Sequence, residues 1–213
     1  MSNSLIATAQ KFYAALSDNN AKPWWDENRG TYDATLKPAA QQLCDDMTPI
    51  LSQITGEPVK SKLFRPHRDV RFSKDKTPYK THLHMMWQLD TPARQNPVFF
   101  FGIGTDYVTA GAGLMGFEKP MLEDWRKFVD LDTKRITQII GDAQAKGYGL
   151  REPALKRIPS AYPSDHPAGA LLRMKGVVAS KDIGHPDDIQ AALKSAFQDL
   201  APLNALLLQI AES

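Results

Sequence analysis

The spacing of apolar residues changes twice along this chain, and that change restricts the fold more than any other feature. Up to about residue 55 they recur at helical intervals, between 64 and 112 they alternate or form a short continuous run, and beyond 120 the helical interval returns. Leu5, Ala9, Phe12 and Leu16 make a first helical stripe, broken at Asp18-Asn19-Asn20. Pro23 suits the first turn of a second helix, with Trp25, Asn28, Tyr32 and Leu36 along one face. Pro38 opens a third, with Leu43, Met47, Ile50, Leu51 and Ile54 inward, closed by Gly56 and Pro58.

In the middle, residues 64–72 and 79–89 alternate with period two around a Ser-Lys-Asp-Lys-Thr-Pro turn, which predicts a hairpin. The run 98–103, a short Gly-Thr connection and 106–112 predict a second. Helices follow near Pro120 (Leu122, Trp125, Phe128, Val129) and from Asp132 (Ile136, Ile139, Ile140), ended by Gly147 and Gly149. A proline-rich loop over 153–167 leads to a short helix at Leu171, Leu172 and Met174 and a strand at 176–179. One or two terminal helices carry Ile189, Leu193, Phe197, Leu203, Leu206, Leu207 and Ile210. Helices, then hairpins, then helices predict an α+β fold: an antiparallel sheet built from the central hairpins and packed with N- and C-terminal helices. No internal repeat or long linker divides it, so 1–213 reads as one domain.

The 213 residues, 42% hydrophobic and 23% charged, are enough to bury a core without a staple. The lone Cys44, beside Leu43 and Met47, reads as a buried inert thiol. The first sixteen residues lack the charge and apolar run of a signal or transit peptide, and no window suits a membrane span. A reducing cytoplasm is the expected compartment. The net charge of +2 is too small to argue for nucleic acid over the whole molecule.

Charge is concentrated locally. Residues 65–82 hold six Lys or Arg against two Asp, a surplus twice the net charge of the chain. If Phe72 pairs with Tyr79, then Val70, Arg68, Thr81, Leu83, Met85 and Trp87 share the core face. The opposite face then carries Arg65, His67, Asp69, Arg71, Lys80, His82 and His84, with Arg71 opposite Lys80, Asp69 opposite His82 and His67 opposite His84. Two facing cations repel, so an anion between Arg71 and Lys80 would relieve a cost, and Lys74 and Lys76 in the turn add to the site. The competing reading is a solvated face with Asp69 neutralising Arg71. A metal set of His67, His84 and Asp69 is opposed by the surrounding cations. An Asp69–His82 pair would orient an imidazole for proton transfer.

Gly111-Ala-Gly113-Leu-Met-Gly116 matches a dinucleotide-binding pattern. Its strand follows a tight turn and is expected to be antiparallel, and its helix begins only near Pro120. The glycines are better read as room for a close neighbour, and no cofactor is expected. A second cluster, Lys156, Arg157, Tyr162, Asp165 and His166, lies in the proline-rich loop. Ser164 or Asp165 there could cap the helix entered through Pro167. The loop could instead roof the basic hairpin, bringing Arg157 and His166 to Arg71.

The segment Arg68-Asp-Val-Arg-Phe-Ser-Lys-Asp-Lys-Thr-Pro-Tyr-Lys-Thr-His82 resembles the hallmark of the DUF2461 (TIGR02453) family of conserved bacterial and fungal proteins. Leu155-Lys-Arg with Tyr162-Pro-Ser-Asp-His-Pro167, Asn19-Asn20 with Trp24-Trp25, and Gly111 to Leu114 resemble further elements of it. The resemblance spans nearly the whole chain and implies one intact domain, with no established activity. His67 and His84 depart from the pattern, which further weakens a metal set. Arg71, Lys74, Lys76, Lys80 and His82 lie within the shared segment.

The expected function is binding, or turnover, of a small phosphate- or carboxylate-bearing molecule. Arg71, Lys74, Lys76, Lys80, His82 and Arg157 would be its contacts, and His82, Asp69 and His166 the candidates for proton transfer. The alternative is docking of a protein, or less readily a nucleic acid, through the same basic patch.

Overall fold

This computed structural model describes residues 2–213. The stripe that starts at Leu5 is helix α1 (Ser2–Asp18), and Leu5, Ala9, Phe12 and Leu16 are all buried. Helix α2 (Lys22–Thr31) begins, as its Pro23 suggested, just after the Asp-Asn-Asn break. Pro38 does not separate it from α3 (Lys37–Thr55). The chain instead runs through a π-helical turn (Tyr32–Leu36), in which the Lys37 N–H donates to the Tyr32 carbonyl. Widening the helix by one residue accommodates a proline ring that would strike the carbonyl four residues back. Gly56 ends α3 in the left-handed conformation, φ 76°, with its N–H on the Ser52 carbonyl.

The sheet has six antiparallel strands: β1 (Val59–Leu63), β2 (Leu83–Leu89), β3 (Val98–Ile103), β4 (Val108–Leu114), β5 (Gly149–Leu150) and β6 (Val177–Asp182), in the order β1-β2-β3-β4-β6-β5. The second hairpin lies where the apolar run and its short Gly-Thr connection predicted it, with Ile103 paired to Val108. The first differs. Residues 64–82 are an irregular loop, and β2 takes its partner from β1, a strand the alternation did not reveal. Between the strands come α4 (Lys119–Leu131), α5 (Thr133–Ala145) and the one-turn α6 (Gly169–Leu172). The C-terminal stripe is one helix, α7 (Ile189–Glu212), continuous across Pro202.

Burial is one-sided. Leu83, Met85, Trp87 and Leu89 of β2 and Phe99, Phe101 and Ile103 of β3 point into the helical layer and are essentially inaccessible. Trp87 fixes that layer: its Nε1 donates to the Cys44 carbonyl of α3 at 3.0 Å, and its ring meets Phe197 of α7. Cys44 is fully buried, and burial pushes its thiol up to about 12, so it is inert as expected. The other face carries Lys60, Lys62, His84, Met86, Gln88, Phe100, Thr109 and Ser180, exposed or half-buried.

The glycines of β4 admit their neighbours, and the strand is antiparallel to both β3 and β6, so the pattern opens no βαβ unit. A Cβ on Gly111 would lie 2.3 Å from the Phe100 ring, and one on Gly113 only 2.0 Å from the Val177 carbonyl oxygen. Gly113 also has φ 131°, a conformation side chains rarely adopt. Gly113→Ala should therefore cost about 3 kcal/mol or more in urea unfolding, because the obstruction is backbone. A loss below about 0.5 kcal/mol would show that β6 can move aside.

Candidate functional site

The loop 64–82 leaves the sheet where β1 ends, β2 begins and β3 turns into β4. Its stem is a short ribbon: Phe64 N–H donates to His84, Lys80 to Pro66 and Arg68 to Pro78, and His67 bridges to Tyr79. Arg68, expected on the core face, crosses the loop and binds Asp75 and both the hydroxyl and the carbonyl of Thr77. The Thr77 N–H, the Arg68 guanidinium and the Thr77 hydroxyl, all donating to Asp75, draw its carboxyl down to about 2.

Two segments far apart in sequence hold this loop to the helices. The Asn20 side-chain amide makes both bonds of a peptide partner to Tyr79, donating to its carbonyl at 2.9 Å and accepting its N–H at 3.1 Å. The Trp25 ring stacks on the Tyr79 ring at 4.5 Å, and His67 packs edge-on against Tyr79. Asn20→Ala leaves a half-buried peptide unpaired. It should cost about 1–3 kcal/mol and raise hydrogen exchange at Tyr79 selectively; uniform exchange across the domain would refute a local clamp.

The expected pairing across 72 and 79 does not form. Tyr79, Leu83 and Trp87 are buried, but Phe72 is 96% exposed. Once pairing stops near the stem, no ladder carries the alternation to the loop tip. Arg71 therefore does not face Lys80: its guanidinium binds both oxygens of Asp69, two residues away. Asp69 is held below its ordinary range by that contact and does not orient His82. Lys76 donates to the Val70 and Arg71 carbonyls, and Lys74 is exposed. Nor do His67 and His84 pair. His67 packs on Trp25 and Tyr79, whereas the Nε2 of His84 lies 2.8 Å from the Tyr107 hydroxyl.

What the structure does assemble is the row Lys80, His82 and His84, joined by residues that alternation had not suggested. Lys62 and Lys80 both sit 5.2 Å from the centre of the Phe64 ring. Burial, with Arg65 and Lys62 nearby, lowers the Lys80 pKa. The rings of His82 and His84 stack at 3.9 Å. Gly102 makes room beneath, since a Cβ there would lie 2.7 Å from the His84 ring. Burial and then His82 and Lys80 depress His84 to about 4, and burial and Lys80 also lower His82. Tyr107 is raised by burial and Asp106 and remains a phenol. At neutral pH this corner therefore presents fixed cations beside uncharged imidazoles.

The second cluster lies elsewhere. β5 leaves the sheet toward the opposite end of the strands and at the opposite edge from β1, and 151–168 follows it there. Arg157 and His166 line a cavity there with Tyr162 and Arg173, so the expected roof over Arg71 does not exist. Neither Ser164 nor Asp165 caps α6; the Nδ1 of His166 accepts the Ala168 N–H, and its Nε2 meets Asp130 at 3.2 Å. His166 is thereby fixed as a bracket between elements.

A one-sided antiparallel sheet with a clamped basic loop defines an α+β protein whose distinctive residues gather at one corner. The family model described as a conserved hypothetical protein, DUF2461, matches residues 8–205, and the chain belongs to that family. Comparison with curated proteins returns no match. None of the described helices is long and apolar enough to cross a membrane.

His84 supplies a pH test of this geometry. Its folded pKa lies below the unfolded value of about 6.5, so the unfolded chain binds the extra proton first. Its contribution to stability is complete above about pH 6.5 and declines as pH falls toward 4. NMR titration should show His84 neutral at pH 5; a midpoint near 6.5 would contradict the buried contact with Tyr107.

Proposed function

We propose that the chain binds a small phosphate- or carboxylate-bearing molecule at the loop-side corner of the open sheet face, with Lys62, Arg65 and Lys80 as its charged contacts. The observation that carries this reading is uncompensated charge. Among the described residues, none of the three lies within ion-pair distance of a carboxylate, whereas Arg68 and Arg71 do. The lowered pKa of Lys80 expresses the cost of holding a cation there, and an anion would remove that cost. Neutral His82, with its depressed pKa, stands beside the cations as the group suited to accept a proton if the ligand is turned over.

A thermal-shift panel of phosphorylated and carboxylated metabolites tests the reading. A ligand at 100 times its dissociation constant adds about 2.7 kcal/mol of stability. Lys62→Ala with Lys80→Ala should abolish that gain while leaving the empty protein as stable as before, since mutual repulsion goes with the charges. A panel with no stabilising member, or a gain that survives both substitutions, would refute it.

One observation favours a second reading, docking of a partner through the loop tip. Phe72 is 96% exposed, with the Arg71 guanidinium 5.9 Å from its ring. An exposed aromatic flanked by Arg71, Lys74 and Lys76 suits an acidic protein surface. Phe72→Ala would then abolish capture of that partner and leave the metabolite panel unchanged.

A further inference from the structure

The cavity under the proline-rich loop stands apart from that corner, and its chemistry is more one-sided. It measures about 710 Å³ and takes Lys156, Arg157 and Arg173 into its lining, together with Ser160, Tyr162 and Ser164. No carboxylate lines it among the described residues. None of the three cations is within ion-pair distance of an acid elsewhere among those residues; the nearby Asp130 carboxylate contacts His166 instead. In a chain whose net charge is only +2, three cations without an acidic partner lining one concavity is not the arrangement expected of a neutral surface.

The walls are built before any ligand arrives. Successive turns close the loop: Tyr162 N–H donates to Pro159, His166 to Pro163 and Gly169 to His166. Leu155 N–H reaches the Arg173 carbonyl, and the Arg173 guanidinium returns to the carbonyls of Gly169 and Lys156, tying the rims together. Ile158 packs so closely over Gly169 that a Cβ there would lie 2.4 Å from its terminal methyl. His166, with a side chain only 7% exposed, anchors the loop to α4 through Asp130. Fixed walls spare a ligand the cost of ordering them.

We propose that this cavity is a second, independent site, for a phosphorylated small molecule carrying at least two negative charges. A carboxylate offers two oxygens and one charge, too little to balance three cations. A phosphate ester or diphosphate offers more acceptors and the matching charge. The volume falls within the range of small-molecule sites and exceeds what the phosphate alone fills, leaving Ile158 and Tyr162 for an organic body.

Inorganic pyrophosphate is the probe, titrated by calorimetry into Lys62→Ala/Lys80→Ala protein so that the loop-side corner contributes nothing. Binding should persist in that background and weaken about tenfold or more on adding Lys156→Ala and Arg157→Ala. Both residues are exposed, so the fold should tolerate their removal. Arg157→Gln, which keeps the bulk, should show the same direction if the double substitution proves unstable. Absence of binding in the Lys62→Ala/Lys80→Ala protein overturns this site without touching the proposal for Lys62 and Lys80. Binding that is unchanged by the Lys156 and Arg157 substitutions overturns it equally.

Discussion

Six antiparallel strands send alternate side chains into a single helical layer, and Trp87 is where that layer closes. Its indole lies on β2, hydrogen-bonds the backbone of α3 and packs against Phe197 of α7, so three elements distant in sequence meet on one ring. Burying a side chain of this size removes on the order of 150–250 Å² from water. Because α3 and α7 are committed to this face, the residues of alternate register on the other face remain accessible. The accessible face is thus a consequence of how the core is made. Side chains on it are charged or polar and pay only a partial desolvation cost, largest at the half-buried His84, and close neighbours are admitted by glycines beneath them, as at Gly102 under His84 and Gly111 under Phe100.

The clamp between Asn20 and Tyr79 does for the loop what Trp87 does for the core. A loop of nineteen residues between paired strands would ordinarily wander. Here a side-chain amide substitutes for the missing strand partner, and a stacked indole covers it. The Asn-Asn and Trp-Trp element near the N-terminus and the basic segment are therefore one structural unit. Rigidity at the stem holds Lys80, His82 and His84 in a row although the tip beyond Arg68 makes only local contacts.

Elements with sustained period and clear punctuation were legible in the sequence. α1, the second hairpin and the terminal helix all follow from spacing alone, and so does the α+β architecture. β1 escaped because five residues with lysines at alternate positions, between Pro58 and the basic segment, give no contrast with a loop. Residues 64–72 misled for the opposite reason. Aromatic and charged residues alternate there, but Pro66 and Pro78 lack ladder donors and Arg68 turns inward to the loop's own Asp75, so alternation never becomes pairing. At the site, the common face of Lys80, His82 and His84 could be read from their spacing. Lys62 and Tyr107 could not, since they arrive from β1 and from the turn between β3 and β4, whose placement against the loop no local pattern records. Arg71 was misplaced because a carboxylate two residues away is a nearer partner than any across a hairpin.

The sheet's two borders bear on how a molecule can keep a broad face open without inviting another strand to extend it. An uncovered sheet is a template for another strand wherever its outermost backbone is long and unguarded. Here one border is β1, five residues bearing Lys60 and Lys62, and the other is β5, two residues long. A strand approaching the first meets positive charge, and one approaching the second finds almost nothing to pair with. The face stays open while both borders resist extension by a further strand, which is the route from an uncovered sheet to a fibre.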